Sequence, residues 1–287
     1  MYASAATGHS VDVDGAAVYF ARAGYGEPVV LLHGLGEAGL IWHPNVGPLA
    51  ERFSVYVPDL WGHGRSADLG RYDFLTGARM VTGFLDALGI DSAHLVGNSL
   101  GGYAAAGVAI HHPERVRSLV LEDAGGLGRR LPFFLRLMTL PVAGEFMAAP
   151  RRASIRRLMG IVLHDPSLIS PGFLDALVAE RSRPGNAEAM LRILRCGANI
   201  LGMKRGADIS SKLGAIRAPT LIAWGRQDPI FPVRIAERAA GLIPNAVLDI
   251  YDDCGHWPHY EHADRFNAAA AALVERAEAA RAQATAG

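Results

Sequence analysis

Short apolar runs alternate with longer helical patterns along most of the chain, and this alternation limits the possible folds more than any other feature. Pro28 to Leu32 (PVVLL) is a continuous apolar run, as expected for a strand buried on both faces of a sheet. Strands that alternate with helices favour an α/β fold, with a mostly parallel central sheet and helices on both faces. Further strands are predicted at 54–57, 94–96, 118–122, 220–224 and 246–251, helices at 74–88, 100–111, 233–242 and 265–280, and an initial hairpin at 11–13 and 17–21.

The alternation stops once, between residues 125 and 213, where no convincing strand pattern is present. This stretch carries amphipathic segments at helical spacing, separated by proline and glycine. We therefore predict a helical cap at 125–213, inserted into a core made of residues 1–124 and 214–287.

Composition excludes several classes of protein. Lys+Arg and Asp+Glu number 28 each in the 287 residues, so the chain lacks the positive charge that nucleic-acid binding requires. Its two cysteines, Cys196 and Cys254, are too few for a disulfide framework and lack the spacing of a zinc site. The sequence alone permits a single disulfide between them. The N-terminus lacks a signal-peptide pattern and no apolar run is long enough to span a bilayer, which predicts a cytoplasmic protein.

The segment Gly97-Asn98-Ser99-Leu100-Gly101 lies between a predicted strand and an Ala-rich predicted helix. Small residues on both sides of Ser99 allow a sharp turn that presents a hydroxyl, and the helix directs its positive end at the same point. The pattern predicts that Ser99 is a catalytic nucleophile.

With this motif, the chain resembles the α/β-hydrolase superfamily, from the hairpin before Pro28 to the helix after His259. The superfamily places its nucleophile, acid and histidine in that order along the chain. The loop His33-Gly34-Leu35-Gly36 matches the one that builds half of the superfamily's oxyanion hole. By this match the two backbone N–H donors belong to Leu35 and Leu100.

The acid and the base follow from the same order. Asp228, in the pattern WGRQDP after a strand run, is the predicted acid, and Asp123 at the end of the strand before the cap is the alternative. His256, in DDCGHWPHY after the final strand, is the predicted base, whereas His259 and His262 are expected at the surface near the final helix.

These residues predict acyl transfer to water through an acyl-enzyme. The motif at 97–102 and the run Cys-Gly-His-Trp at 254–257 also resemble the meta-cleavage product hydrolases, which cut a carbon–carbon bond in dienoates. That subfamily usually continues the oxyanion loop with Pro-Gly, whereas Glu37 follows here. A carboxylesterase for small or medium esters needs less special machinery, so it ranks first and the carbon–carbon hydrolase second.

The candidate substrate-binding residues are Gly34, Trp257 and Arg192. Trp257 either lines the pocket, as the subfamily resemblance implies, or only packs beneath the cap. A dienoate carboxylate needs an arginine of the cap, for which Arg192 and Arg195 are candidates. No cofactor and no metal is expected, and the predicted partner is a small acyl compound. A third hypothesis, from another class, is an inactive ligand-binding protein on a hydrolase scaffold.

Overall fold

A central sheet of eight strands organises the computed structural model, which describes residues 6–286. Residues 1–5 and Gly287 of the predicted core lie outside the described part. The predicted hairpin and strands are present; two strands have the expected bounds and the others are one to four residues longer. The strands of the sheet are β1 (Thr7–Val13), β2 (Ala16–Ala23), β3 (Pro28–Leu32), β4 (Ser54–Pro58), β5 (Ala93–Asn98), β6 (Val116–Glu122), β9 (Thr220–Gly225) and β10 (Ala246–Tyr251).

The spatial order of the strands is β1-β2-β4-β3-β5-β6-β9-β10. β1 pairs with β2 and β2 with β4 in antiparallel orientation, while the pairs from β4 to β10 are parallel. The mostly parallel α/β sheet is thus confirmed. Its order brings the carboxyl ends of β5, β6 and β9 side by side, and loops at that edge form ligand sites in open α/β sheets.

Helices cover both faces of the sheet. Met80 and Phe84 of α2 pack into one buried cluster, and Leu49 of α1 and Phe266 of α11 pack into the other. The described helices are α1 (His43–Ala50), α2 (Thr76–Ala87), α3 (Leu100–His111), α4 (Phe133–Met138), α5 (Ala143–Ala148), α6 (Arg152–Val162), α7 (Pro171–Arg181), α8 (Asn186–Gly197), α9 (Arg234–Ala240), α10 (Pro258–Glu261) and α11 (Ala263–Ala286). Short 3-10 turns lie at 39–42, 113–115, 166–168, 205–207 and 210–215.

The chain between β6 and β9 adds no strand to the central sheet, although these two strands pair directly with each other. It contains α4 to α8, as its amphipathic pattern predicted. One expectation was wrong, because β7 (Ala198–Asn199) and β8 (Gly202–Met203) form a two-residue antiparallel ladder there. The strand pattern was undetectable since two residues are too few to show alternation.

Both cysteines are free thiols, Cys254 buried and Cys196 partly exposed. Within residues 6–286, every helix falls short of the length or the apolar character required to cross a bilayer.

Candidate active site

Ser99 occupies a strained turn between β5 and α3, with φ +53° and ψ −111°. Only a tight, glycine-lined connection permits this turn. A Cβ atom on Gly97 would lie 2.4 Å from the carbonyl carbon of Gly101, and one on Gly101 would lie 2.2 Å from the Leu32 oxygen. The glycines are therefore required by close backbone contact on both sides of Ser99.

Asp228 and His256 are directly hydrogen-bonded. Nδ1 of His256 lies 2.9 Å from Oδ2 of Asp228, and the other carboxylate oxygen, Oδ1, accepts the backbone N–H of Ile230 at 2.7 Å. The side chain of Asn98 donates to the carbonyl of His256 at 3.0 Å, which ties the histidine loop to the turn before Ser99. A carboxylate acceptor at Nδ1 places the proton there and leaves Nε2 free to accept one.

The electrostatics of His256 follow from this pair. Burial lowers the pKa of the imidazole, but the carboxylate of Asp228 and the more distant charge of Glu37 raise it, and the net pKa lies above its ordinary value of 6.5. Asp228 therefore stabilises the imidazolium that a general base becomes during turnover.

Asp123, the alternative acid, lies beside Asp228 rather than beside the histidine. Its oxygens accept the backbone N–H of Gly225 at 3.2 and 3.4 Å, and its carboxyl group hydrogen bonds to Asp228. Burial and the charge of Asp228 raise its pKa well above the ordinary value. The raised pKa favours the neutral carboxyl form of Asp123, which can donate to the Asp228 carboxylate.

Asp123, Asp228 and His256 place ligand-type atoms within 4.8 Å of one another, close enough to hold a metal ion. These atoms already bond to each other and to backbone N–H groups. Their mutual hydrogen bonds favour a proton-holding arrangement over a metal site.

A cavity of about 560 Å³ lies between the sheet edge and the helices of the segment 125–213. Ser99 and His256 both line it, so the structure brings the predicted nucleophile and base to one space. Leu35 and Leu100, whose N–H groups are the predicted oxyanion donors, line it as well. Most of the remaining wall is apolar, which fits a ligand with a large hydrophobic portion.

Two arginines line this cavity: the exposed Arg157 of α6 and the partly buried Arg181, the last residue of α7. Nε of Arg181 donates to the backbone oxygen of Gly36 in the predicted oxyanion loop. Within residues 6–286, no carboxylate lies within 4.0 Å of its guanidinium. Burial lowers the pKa of Arg181, and the negative charge of Glu37 opposes that change.

Neither arginine singled out from the sequence reaches the cavity. Arg192 forms an ion pair with Asp68, and Arg195 pairs with Glu145 at 2.8 Å. The pattern identified an arginine-rich segment but could not show which arginine points inwards, because an amphipathic pattern does not show what each helix face contacts. Arg181, at a helix end, gave no separate signal.

Glu37 lines the cavity and binds the loop that it belongs to. Its Oε2 accepts the N–H of Gly34 at 2.8 Å, and its Oε1 accepts Nε1 of Trp257 at 3.1 Å. Gly34 itself does not line the cavity, and a Cβ atom there would lie 2.7 Å from Oε2 of Glu37. Trp257 is fully buried against His259 and Tyr260. It therefore packs inside the protein and does not line the cavity.

The expectation that His259 lies at the surface was wrong. His259 is fully buried, and its Nδ1 and backbone N–H bind Oε1 of Glu122 at 2.8 and 2.6 Å. His33, another buried histidine, accepts the Leu60 N–H at 2.9 Å and so supports the loop after β3. His262 is partly exposed. The sequence gives no partner for His259, since Glu122 is 137 residues away.

Comparison with known proteins places this geometry in a family. The model of the alpha/beta hydrolase family matches residues 29–269. The chain is 34% identical to 2-hydroxy-6-oxo-6-phenylhexa-2,4-dienoate hydrolase of Burkholderia cepacia, over 87% of this chain and 88% of that protein. It is 35% identical to 2-hydroxymuconate semialdehyde hydrolase of Pseudomonas putida, over 88% and 87%. A solved meta-cleavage product hydrolase of Pseudomonas fluorescens IP01 superimposes with a TM-score of 0.82 at 27% identity, covering 94% of this chain and 98% of that one.

These relatives overturn the first-ranked function. A carboxylesterase was ranked ahead of a carbon–carbon hydrolase, yet the high-coverage relatives are named as dienoate and semialdehyde hydrolases. The ranking failed because the serine, histidine and aspartate motifs are shared by both reactions and carry no information on the bond that is cut. The fold, the matched family model and the similarity of the full-length relatives agree, and the chain is a hydrolase that belongs to the alpha/beta hydrolase family.

Proposed function

We propose that the protein is a meta-cleavage product hydrolase, which cuts the carbon–carbon bond beside the ketone of a 2-hydroxy-6-oxo-hexa-2,4-dienoate. The observation that carries the proposal is Arg181, a partly buried guanidinium that lines the same cavity as Ser99, donates to the oxyanion loop at Gly36 and has no carboxylate within 4.0 Å in the described chain. A partly buried cation without an ion pair favours an anionic ligand. The dienoate supplies a carboxylate at one end and a ketone at the other.

The remaining residues take the roles that acyl transfer requires. His256 accepts the proton of Ser99, whose oxygen attacks the ketone carbon C6, and Asp228 stabilises the imidazolium. The N–H groups of Leu35 and Leu100 stabilise the oxyanion that forms on the ketone oxygen.

Carbon–carbon cleavage needs a leaving group that can hold an electron pair. Tautomerisation of the 2-hydroxydiene to its keto form adds a proton at C5, and the C5–C6 bond can then break. Its electron pair passes through the C3–C4 double bond to the C2 oxygen, and the proton held by His256 returns to this dienolate. Water hydrolyses the acyl group left on Ser99 by the same steps. The products are a carboxylic acid and 2-hydroxypenta-2,4-dienoate, so one water is consumed.

The segment 125–213 acts in this proposal as the predicted cap. It supplies Arg181 for the carboxylate and most of the apolar wall, while the core supplies Ser99, Asp228 and His256. In this division the core carries out catalysis and the cap selects the substrate, since the sequence of a cap can change without moving the triad.

The test compares two substrates on matched arginine variants. We expect faster turnover of a phenyl dienoate than of p-nitrophenyl acetate, and no turnover of either by Ser99→Ala. Arg181→Met should raise KM for the dienoate by about 10- to 100-fold, which corresponds to the loss of a charge-assisted hydrogen bond. Its rate on the nitrophenyl ester should change little.

Arg192→Met is the matched control, because Arg192 carries the same charge in the same segment but pairs with Asp68. It should leave both substrates nearly unaffected. An equal loss on dienoate and ester in Arg181→Met would instead indicate damage to the oxyanion loop through Gly36. A wild-type preference for the nitrophenyl ester would refute the proposed function.

A further inference from the structure

The outer side of two short helices near the cavity carries exposed apolar side chains. Phe133 of α4, Val142 before α5 and Phe146 of α5 are 67%, 80% and 66% exposed. Leu140, in the turn between these helices, is also exposed. We refer to these four residues together with the exposed Arg151 and Arg156 as the rim face. Large apolar side chains exposed next to one another mark a surface that contacts another body.

The rim face is an ordered part of the structure. The turn after α4 is closed by the Gly144 N–H, which donates to the Leu140 oxygen at 2.9 Å, and the Phe146 N–H donates to the Val142 oxygen at 3.0 Å. The guanidinium of Arg151 lies 4.8 Å from the centre of the Phe146 ring. Val142 has a φ of +66°, a strained value for a β-branched residue, and it nevertheless projects into solvent.

The charge of this region differs sharply from that of the whole chain. Acidic and basic residues balance at 28 each over the full sequence. Between positions 129 and 157 there is one acidic residue, Glu145, and it is paired with Arg195. The same stretch contains seven arginines: Arg129, Arg130, Arg136, Arg151, Arg152, Arg156 and Arg157.

Several of these arginines are available to an external anion. Arg151, Arg156 and Arg157 are exposed, and none of them has a carboxylate within 4.0 Å in the described part of the chain. Arg152, by contrast, pairs with Asp175 at 2.7 Å. Exposed phenylalanine flanked by unpaired arginine is the composition of segments that lie in the headgroup region of a membrane.

We propose that the rim face docks the protein onto an anionic lipid surface. The arginines bind lipid phosphate groups, and the side chains of Phe133, Val142 and Phe146 insert among the upper acyl chains. A second copy of the chain fits this surface poorly. A two-fold contact would place the same patch against itself, and the arginine clusters would face each other.

The mouth of the cavity lies beside the rim face, so docking would bring the cavity close to the lipid surface. Phe146, Arg157 and Ile161 are exposed to solvent and also line the cavity, so its mouth opens beside the rim face. An amphiphilic substrate held in the lipid layer could enter without crossing bulk water. The docking inference does not rest on which bond the enzyme cuts.

The experiment measures cosedimentation of the full chain with vesicles. Vesicles of equal parts phosphatidylglycerol and phosphatidylcholine should bind the protein at about 0.1 M salt, and pure phosphatidylcholine vesicles should not. Arg151→Gln combined with Arg156→Gln, and separately Phe133→Ser combined with Val142→Asn, should each weaken binding about tenfold or more. None of these four residues lines the cavity. Their activity on a small substrate in solution should therefore stay at the wild-type level.

Matched controls use exposed residues far along the chain. Arg234→Gln with Arg238→Gln on α9 removes the same charge, and Tyr25→Ser with Val247→Ser removes comparable exposed apolar area. Both controls should bind like wild type. Equal binding to both kinds of vesicle, no binding to anionic vesicles, or binding insensitive to the apolar double variant would each overturn the proposal. A dimer in solution that the Phe133/Val142 variant dissociates would assign the rim face to a second copy instead, and would also overturn it.

Discussion

The ring nitrogen Nδ1 of His256 lies 2.9 Å from Oδ2 of Asp228, in a buried pair that joins the loop after β10 to the loop after β9. A second carboxyl group, that of Asp123, hydrogen bonds to Asp228 from the end of β6. Asp228 therefore contacts the imidazole, whereas the Asp123 side chain bonds to Asp228 and to the backbone N–H of Gly225. This layered arrangement gives the two acids different chemical roles.

Asp228→Asn should lower kcat by about 10⁴, because an amide cannot stabilise the imidazolium and can fix the wrong tautomer. Asp123→Asn should cost less than tenfold, since its amide N–H₂ replaces the O–H that donates to Asp228. Steady-state kinetics on both purified variants measure the difference. If Asp123→Asn were the more damaging change, the acid would have to be reassigned to Asp123.

The pH dependence of kcat/KM should report the raised pKa of His256. Burial lowers this pKa, but Asp228 and then Glu37 raise it above 6.5 on balance. Below its pKa the imidazole is protonated and cannot accept the Ser99 proton, so activity should rise with pH through a midpoint above 6.5.

Glu37→Gln removes one of the charges that raise the pKa of His256 while keeping an acceptor oxygen. The acid limb of the profile should therefore move to lower pH. A midpoint that stayed in place would show that the charge of Glu37 does not act on His256. A midpoint that moved upwards would contradict the sign of the interaction.

Removing the partner of a buried carboxylate should reduce stability more than activity. Glu122 and His259 are both fully buried and lie 2.8 Å apart. His259→Ala leaves the Glu122 carboxylate without its imidazole and should cost about 3–5 kcal/mol of unfolding free energy. Urea denaturation measures it, with the partly exposed His262→Ala as a control expected within about 0.5 kcal/mol of wild type. A loss below about 1 kcal/mol for His259→Ala would show that the pair contributes little.

Replacing each of two helical glycines with alanine should have opposite effects on the stability of the protein. A Cβ at Gly101 of α3 would lie 2.2 Å from the backbone oxygen of Leu32, so Gly101→Ala should destabilise by about 1–3 kcal/mol and reduce activity. Gly160 of α6 has no atom within 4 Å of its added Cβ, so Gly160→Ala should stabilise by about 0.5–1 kcal/mol. Thermal melts of both variants test this, and a neutral Gly101→Ala would show that the turn tolerates a side chain.

Local sequence was sufficient where a functional residue and the secondary structure around it are set by neighbouring residues in the chain. The strand before Ser99, the helix after it and the glycines around it were visible as a pattern, and the structure has that helix at Leu100–His111 as predicted. Asp228 and His256 were identified from the superfamily order of catalytic residues, and each follows a strand of a sheet in which parallel strands end at one edge. Where distant backbone segments lie in close contact, the only sign of that contact in the sequence is a glycine.

The cap and the buried histidines show where local patterns fail. An amphipathic helix reports that one face is covered, but not what covers it, so Arg181 could not be separated from Arg192 or Arg195. The pairing of Glu122 with His259 spans 137 residues and leaves no local pattern. For the same reason the substrate class was ranked wrongly, because it depends on side chains of the cavity wall.

The sequence by itself determined the α/β alternation and the strand–turn–helix around Ser99, since these depend on periodicity and on residues adjacent in the chain. The resemblance to the α/β-hydrolase superfamily supplied the candidates for acid and base. Tertiary structure alone decided the strand order, the position of Asp123 beside Asp228, and the presence of Arg181 in the cavity. The physical reason is the separation along the chain between the residues that interact. Backbone conformation is set largely by near neighbours, whereas hydrogen bonds and charges act between side chains that only the packed sheet and helices bring within a few ångströms.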